Sequence, residues 1–336
     1  MRSAGLTLPR ESEMVAPCRV MVTGASGFVG RHLCESLIQG GFSVKAAVRR
    51  EPGQPLAGDV VHLDLLDHAT LQQSLTDVDC VVHLAGRAHV LNDQVVDPLA
   101  AFRQANVETT LVLAKAALAA GVRRFIFVSS IGVNGNETTG QVFTEESEAA
   151  PTADYAVSKL EAERALHSLL AGADMQLVIV RPPLIYDACA PGNFGRLLSL
   201  VAKGLPLPFA ALDNRRSLVS LNNLINFLTL VITHEKAAGQ LFLIADGVSV
   251  STRQLVKSLA VGMGRKARFF YMPKLLAKLL LTALGRPGMY VQLFSSLEIS
   301  TGKARDLLGW TPVEEPETAL AKAGRKHVRR LAVDAQ

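Results

Sequence analysis

The sequence has no run of five or more basic residues, no closely paired cysteines and no apolar stretch long enough to cross a bilayer. Each absence excludes something. Lys and Arg are dispersed and the net charge is only +5, which argues against a nucleic-acid partner. Cys18, Cys34, Cys80 and Cys189 show neither C-x-x-C nor histidine-paired spacing. A zinc site, any other metal centre and a disulfide framework are therefore not expected, and the four read as buried thiols in a reducing, cytoplasmic compartment. The most apolar stretch, Leu275 to Leu284, is interrupted by Lys278. It is too short to span a membrane, which rules against insertion. It reads as an amphipathic helix packed on the core rather than as a lipid-surface element. Residues 1–17 hold no apolar run and no signal-peptide layout and read as a flexible leader. No internal repeat is visible.

What is present is a chain of 336 residues, 49% hydrophobic and 19% charged. That texture suits a globular α/β protein of one large or two interleaved domains. Arg19 to Thr23 is a β-branched and apolar run, the pattern of a buried strand. It leads into Gly24-Ala25-Ser26-Gly27-Phe28-Val29-Gly30 and then a helix, Arg31 to Gln39. G-x-x-G-x-x-G between a strand and a helix is a dinucleotide-binding context. Gly24 suits the tight turn, Gly27 lets a pyrophosphate approach the helix N-terminus, and Gly30 lets helix pack on strand.

The second strand, Ser43 to Val48, ends at Arg49 and Arg50 where an NAD enzyme places an acidic residue for the ribose 2′-hydroxyl. A guanidinium there binds a 2′-phosphate that a carboxylate would repel, so NADP(H) is favoured over NAD(H). Further strands are expected at Val60–Leu65, Cys80–Gly86, Arg123–Ser129 and Met175–Val180, with one long helix over Asp97–Ala120. His83 reads as a packed strand histidine. Strands alternating with helices imply a Rossmann-type, doubly wound parallel sheet with its ligand crevice at the strand C-terminal ends.

Ser130 falls at such an end, and Tyr155 and Lys159 stand four apart on the helix that follows. Residues four apart share a helix face. The lysine charge can then favour phenolate over a phenol whose usual pKa is about 10. With Ser130 this is a device for moving a proton on a carbinol or carbonyl oxygen while hydride moves at the carbon.

Taken together, Thr23 to Gly30, Asp64-Leu65, His83-Leu84-Ala85-Gly86, Asn106-Val107, Ser129-Ser130 and Tyr155 to Lys159 resemble the extended short-chain dehydrogenase/reductase superfamily, the nucleotide-sugar epimerases and reductases. The resemblance implies a catalytic set of Ser130, Tyr155 and Lys159. It implies a cofactor lining of Gly24, Ser26, Gly27, Phe28, Val29, Gly30, Asp64, Leu65, Leu84, Ala85, Gly86, Asn106 and Pro182, together with Tyr155 and Lys159. Asn193 and Arg216 match positions that hold the diphosphate or sugar of a UDP-sugar. Dehydratases of this superfamily carry an Asp-Glu pair after the catalytic serine. Here those positions are Ile131 and Gly132, which cannot transfer protons, so dehydration is not expected.

Ser129 to Gly135, Arg181 to Tyr186, Gly192 to Phe194 and Asn214 to Val219 are similar to a narrower group, the C4-reductases of bacterial O-antigen assembly. That similarity implies reduction of a UDP-4-keto-6-deoxy-N-acetylhexosamine to UDP-N-acetylquinovosamine or UDP-N-acetylfucosamine, in lipopolysaccharide biosynthesis. Two rivals share the motifs: a UDP-hexose 4-epimerase with tightly held NAD, and a dinucleotide-binding regulatory protein. The expected organisation is a leader at 1–17, a cofactor domain at 18–180 with a returning segment at 217–245, a substrate part at 181–216 and 246–322, and a frayed tail at 323–336. A homodimer through helices around 100–120 and 152–170 is expected.

Overall fold

The computed structural model describes residues 17–65, 67–88 and 96–334, so the expected leader lies almost wholly outside the described residues. The chain builds β1 (Arg19–Thr23), α1 (Phe28–Gln39), β2 (Ser43–Val48), β3 (Asp59–His62), α2 (His68–Ser74) and β4 (Cys80–His83). α3 (Pro98–Arg103) and α4 (Thr109–Ala119) precede β5 (Arg124–Val128), α5 (Asp154–Leu169) and β6 (Gln176–Arg181). Later, β7 (Leu184–Tyr186), α6 (Gly192–Ala202), β8 (Leu218–Ser220) and α7 (Leu221–Thr233) lead to β9 (Leu241–Leu243). The main sheet is parallel, in the order β3-β2-β1-β4-β5-β6-β9. Strand order reverses beside β1, and that switch point opens a crevice at the C-terminal strand ends.

Alternation along the strands explains why both sheet faces are covered. Val20 and Val22 of β1, with Ile126 of β5 and Val178 of β6, pack under Leu33 and Leu37 of α1 and Leu224 of α7. Met21, Phe125 and Ile179 point the other way, under Leu71 of α2, Leu113 of α4 and Leu166 of α5. In segment 217–245, β9 extends the sheet beside β6, and α7 covers one face.

A second core joins α6 to α8 (Thr252–Gly262), α9 (Lys274–Ala283), α10 (Pro287–Phe294) and α12 (Pro316–Asp334), while α11 (Gly302–Leu308) packs on the first. α8 starts on a capping box: Ser251 Oγ accepts from Gln254 N, and Gln254 Oε1 accepts from Ser251 N.

Four expectations need correction. The tail from 323 is not frayed but helical through Asp334, with Ala323 buried. α12 lies so close to α8 that a Cβ on Gly262 would overlap Ala321 O, and one on Gly324 would overlap Leu259 O. The helix expected to run unbroken over 97–120 contains a π-helical turn at Gln104–Glu108 between α3 and α4. Leu275 to Leu284 meets the second core through Ala277 and Leu281, while its other five leucines are exposed. Only Cys34 and Cys80 are buried thiols. Cys18 is half-buried, and Cys189 is exposed, where Arg330 Nη1 donates to its Sγ at 3.0 Å.

Candidate active site

The floor of the crevice is the turn between β1 and α1. Gly24 has φ +69, and a Cβ there would stand 2.9 Å from Ala85 N, so a side chain is excluded by both conformation and space. A Cβ on Gly30 would overlap Gly24 O and lie 2.8 Å from Ala25 Cα, which ties the helix close to its own turn. Gly27 is the N-cap of α1, with no side-chain cap and no acidic residue in the first turn. The helix N-terminus is thus left without an internal anion, and it opens onto a cleft of about 650 Å³ lined by Gly24, Gly27, Phe28, Val29 and Gly30. Backbone N–H groups in this arrangement suit a pyrophosphate, so the residues present fit a dinucleotide.

The opposite wall comes from the ends of β5 and β6 and the start of α5. Ser130 caps a short 3₁₀ turn, Ile131–Val133, its Oγ accepting from Gly132 N at 3.1 Å. A Cβ on Gly132 would meet Ala156 Cβ at 3.2 Å and Ser130 Oγ at 3.4 Å, so the turn packs tightly on α5. Ser129 Oγ is buried in the same wall without a hydrogen-bond partner. Ser129, Ser130, Tyr155, Lys159 and Pro182 all line the cleft.

α5 is held by a buried ion pair. Glu163 accepts from Arg181 Nε at 2.9 Å and from Nη2, and Arg181 Nη1 donates to Asn134 Oδ1 at 2.9 Å. One turn before Glu163, Lys159 is buried with its Nζ 4.2 Å from the Phe127 ring centroid, a cation–π contact. Burial pushes Lys159 down to about 8, opposed by the Glu163 charge. Burial also pushes the Tyr155 phenol up to about 12. Desolvation thus moves the phenol opposite to the expected pull of Lys159 toward phenolate, and Tyr155 stands as a proton donor.

Behind this wall lies a polar network that the sequence reading only partly anticipated. Asn106, in the π-helical turn, is buried, and its amide is saturated. Its Oδ1 accepts from Arg87 N at 2.7 Å, and its Nδ2 donates to Arg87 O and Ser158 Oγ. Asn106 therefore does not line the cleft; it clamps the loop after β4 against α5. His83 is fully buried and pushed down to about 3 by burial and Lys159. Thr110 Oγ1 donates to Asn106 O, so His83 Nε2 must be the donor to Thr110 and Nδ1 the acceptor from Thr23 Oγ1. Thr23 Oγ1 in turn accepts from Ala85 N. His83 is a structural tie between two strands and a helix, as the sequence suggested.

Not every expected cofactor residue meets the cleft. Leu84 and Gly86 line it; Ser26, Ala85, Asp64, Leu65 and Arg49 do not. Asp64 and Leu65 follow β3, and Arg49 is exposed immediately after β2, beyond the cleft rim at the crevice end of the sheet. On the far side, Arg216 and Asn193 do line the cleft. Arg216 Nη1 donates to Val291 O and Ser295 O, and burial pushes its pKa down to about 10. Asn193, in the first turn of α6, donates from Nδ2 to Gln292 Oε1 of α10. Gln292, Leu293, Thr252 and Leu255 complete this wall. No sequence motif marked them, because they reach the cleft only through the packing of α8 and α10.

The profile of the "NAD dependent epimerase/dehydratase family" matches residues 20–245. The UDP-glucose 4-epimerase of Vibrio cholerae is 38% identical over 300 residues, covering 88% of this chain and 91% of its own. The dTDP-6-deoxy-L-talose 4-dehydrogenase (NAD(P)(+)) of Kitasatospora kifunensis is 30% identical over 312 residues, covering 88% of this chain and 92% of its own. The solved UDP-N-acetylglucosamine 4-epimerase from Bacillus cereus shares the fold, with a TM-score of 0.75 at 20% identity over 92% of this chain and 99% of that one. A family match across more than half of the chain, on a sheet whose switch point carries the glycine turn, makes this chain a member of the NAD dependent epimerase/dehydratase family, the extended short-chain dehydrogenases/reductases.

Proposed function

We propose that the protein reduces the C4 ketone of a UDP-linked 4-keto-6-deoxy-N-acetylhexosamine, giving UDP-N-acetylquinovosamine or UDP-N-acetylfucosamine for O-antigen assembly. The observation that carries this reading is a single cleft shared by the glycine turn, the set Ser130, Tyr155 and Lys159, and Arg216. NADPH held by the turn of Gly24, Gly27 and Gly30 would supply the hydride for C4. Tyr155, whose phenol burial pushes up to about 12, donates the proton to O4. Ser130 orients and polarises O4 from the same wall. Arg216 holds the diphosphate end of the substrate, away from the reacting carbon. Ile131 and Gly132 bring no proton-transfer group to the neighbouring carbons, which favours redox without elimination.

NADPH is favoured over NADH by Arg49, which is exposed at the end of β2 and free of an acidic neighbour in sequence until Glu51. Arg49→Ala should raise the KM for NADPH by about tenfold and leave that for NADH little changed, the loss of one charge-assisted contact. The decisive assay mixes the purified protein with NADPH and UDP-4-keto-6-deoxy-GlcNAc. Consumption of NADPH with formation of a 4-hydroxy product supports the reading; no consumption overturns it.

A second reading is a UDP-sugar 4-epimerase, favoured by the 38% identical Vibrio cholerae relative. It requires NAD retained through purification and interconversion of UDP-glucose or UDP-GlcNAc with its C4 epimer. The nucleotide released from freshly purified protein separates the two readings. A cytoplasmic site of action and a homodimer packed through α4 and α5 accompany the proposal, the latter tested by mass in solution.

A further inference from the structure

α9 leaves its apolar face in solvent. Leu275 is 70% exposed, Leu279 60%, Leu284 69%, and Leu276 and Leu280 46% each. At about 100° per residue, these five occupy one continuous arc of the helix. Ala277 and Leu281 form the side that meets the protein, and Lys274 and Lys278 lie together between Leu281 and the Leu275 edge of the leucine arc. Phe270 and Tyr271, just before the helix, are exposed at 42% and 68%. Apolar surface of this extent on one short helix is more than scattered surface leucines and marks a docking face.

Charge decides what covers it. Between Asp246 and Glu298 the sequence contains eight Lys and Arg residues and no Asp or Glu. Asp213 lies 3.9 Å from Lys274, and both side chains are exposed. A second copy docked on the same face would bring Lys274, Lys278 and Arg286 against their own counterparts, an excess of cations over Asp213. An anionic bilayer offers the complement to both properties. Leucines enter the headgroup boundary while lysines snorkel to lipid phosphates. At 10 residues α9 is too short to cross, and no described helix is long and apolar enough to do so. On a membrane such a helix would lie at the surface rather than cross it. After Gly285 and Arg286 the chain enters α10, whose Gln292 and Leu293 belong to the cleft wall.

We propose that α9, with Phe270 and Tyr271, docks this protein peripherally on an anionic membrane surface, independently of which C4 reaction the cleft performs. Flotation with phosphatidylethanolamine vesicles, with and without phosphatidylglycerol, tests it. The full chain should float with phosphatidylglycerol-containing vesicles, at least about tenfold less without the anionic lipid, and progressively less as salt is raised. Leu275→Gln/Leu279→Gln should lose about tenfold or more of vesicle binding. Lys274→Gln and Lys278→Gln should each lose about fivefold. All these side chains are exposed, so melting temperature and mass in solution should match the unsubstituted protein. Failure of the full chain to float at low salt, or leucine variants that float equally well, would overturn the proposal. So would a leucine variant that halves the mass in solution, since a second copy would then be the occupant.

Discussion

Replacing Glu163 by glutamine tests how α5 is held. Its carboxylate and the Arg181 guanidinium are 3% and 7% exposed, and the guanidinium's remaining described partner is the Asn134 amide oxygen. Glutamine keeps the shape and removes the charge, leaving a buried cation without its counter-ion. Breaking such a pair costs roughly 3–5 kcal/mol. At about 2.1 cal/mol/K per residue, unfolding a chain of this length carries an entropy of about 0.7 kcal/mol/K. The melting temperature should therefore fall by about 4–7 °C. A second readout separates positioning from bulk stability. Glu163 is the group that opposes the depression of Lys159, so in Glu163→Gln Lys159 should titrate below its present value of about 8. Calorimetry gives the first quantity, and the pH dependence of turnover gives the second. A melting temperature within about 1 °C of the unsubstituted protein, far less than a broken buried pair requires, would refute the energetic argument. An unmoved pH profile would refute the link to Lys159.

Three further outcomes follow from the cleft. Tyr155→Phe should lower turnover at least about 100-fold, the usual worth of a general acid, with dinucleotide affinity nearly unchanged; equal losses in turnover and affinity would remove Tyr155 from the proton-transfer role. Gly30→Ala should abolish dinucleotide binding by calorimetry, because the added Cβ overlaps Gly24 O and separates α1 from its turn; full retention of binding would contradict the packing described. Lys159 makes the stability of the cofactor-free protein pH-dependent. Folded, it loses its proton near pH 8; unfolded, near its usual 10.5. Between those values the unfolded chain binds more protons, so the unfolding free energy should rise with pH across that window, and Lys159→Met should flatten the rise in urea midpoints.

Local pattern made much of the fold and half of the site readable. A strand needs only alternation and a helix only its period, so β1, β2, α1 and α5 match their expected positions closely. The glycine turn is a local backbone requirement, and Tyr155 and Lys159 meet on one face because they are one turn apart. Long-range packing decided the rest. The π-helical turn aims Asn106 inward at Arg87 and Ser158, a partner 52 residues away, and no local propensity encodes that choice. Gln292 meets Asn193 across 99 residues because α10 folds back over the cleft.

Charge state was likewise a tertiary outcome. Spacing puts Lys159 near Tyr155, but whether attraction or desolvation prevails depends on burial, and here burial raises the phenol. The tail from 323 has a helical sequence whose docking depends on Gly262 and Gly324 lying opposite α12 and α8 backbone. The leucines of α9 show the opposite case. Their apolar period was plain in the sequence, yet the neighbouring elements cover only Ala277 and Leu281. The sequence by itself determined the parallel sheet, the glycine turn and the placing of Tyr155 and Lys159 one turn apart on α5, because each follows from residues close along the chain. Only the tertiary structure decided which side chains enter the cleft, how far the Tyr155 phenol is raised and which apolar face stays outside, because each depends on what distant segments bring against it.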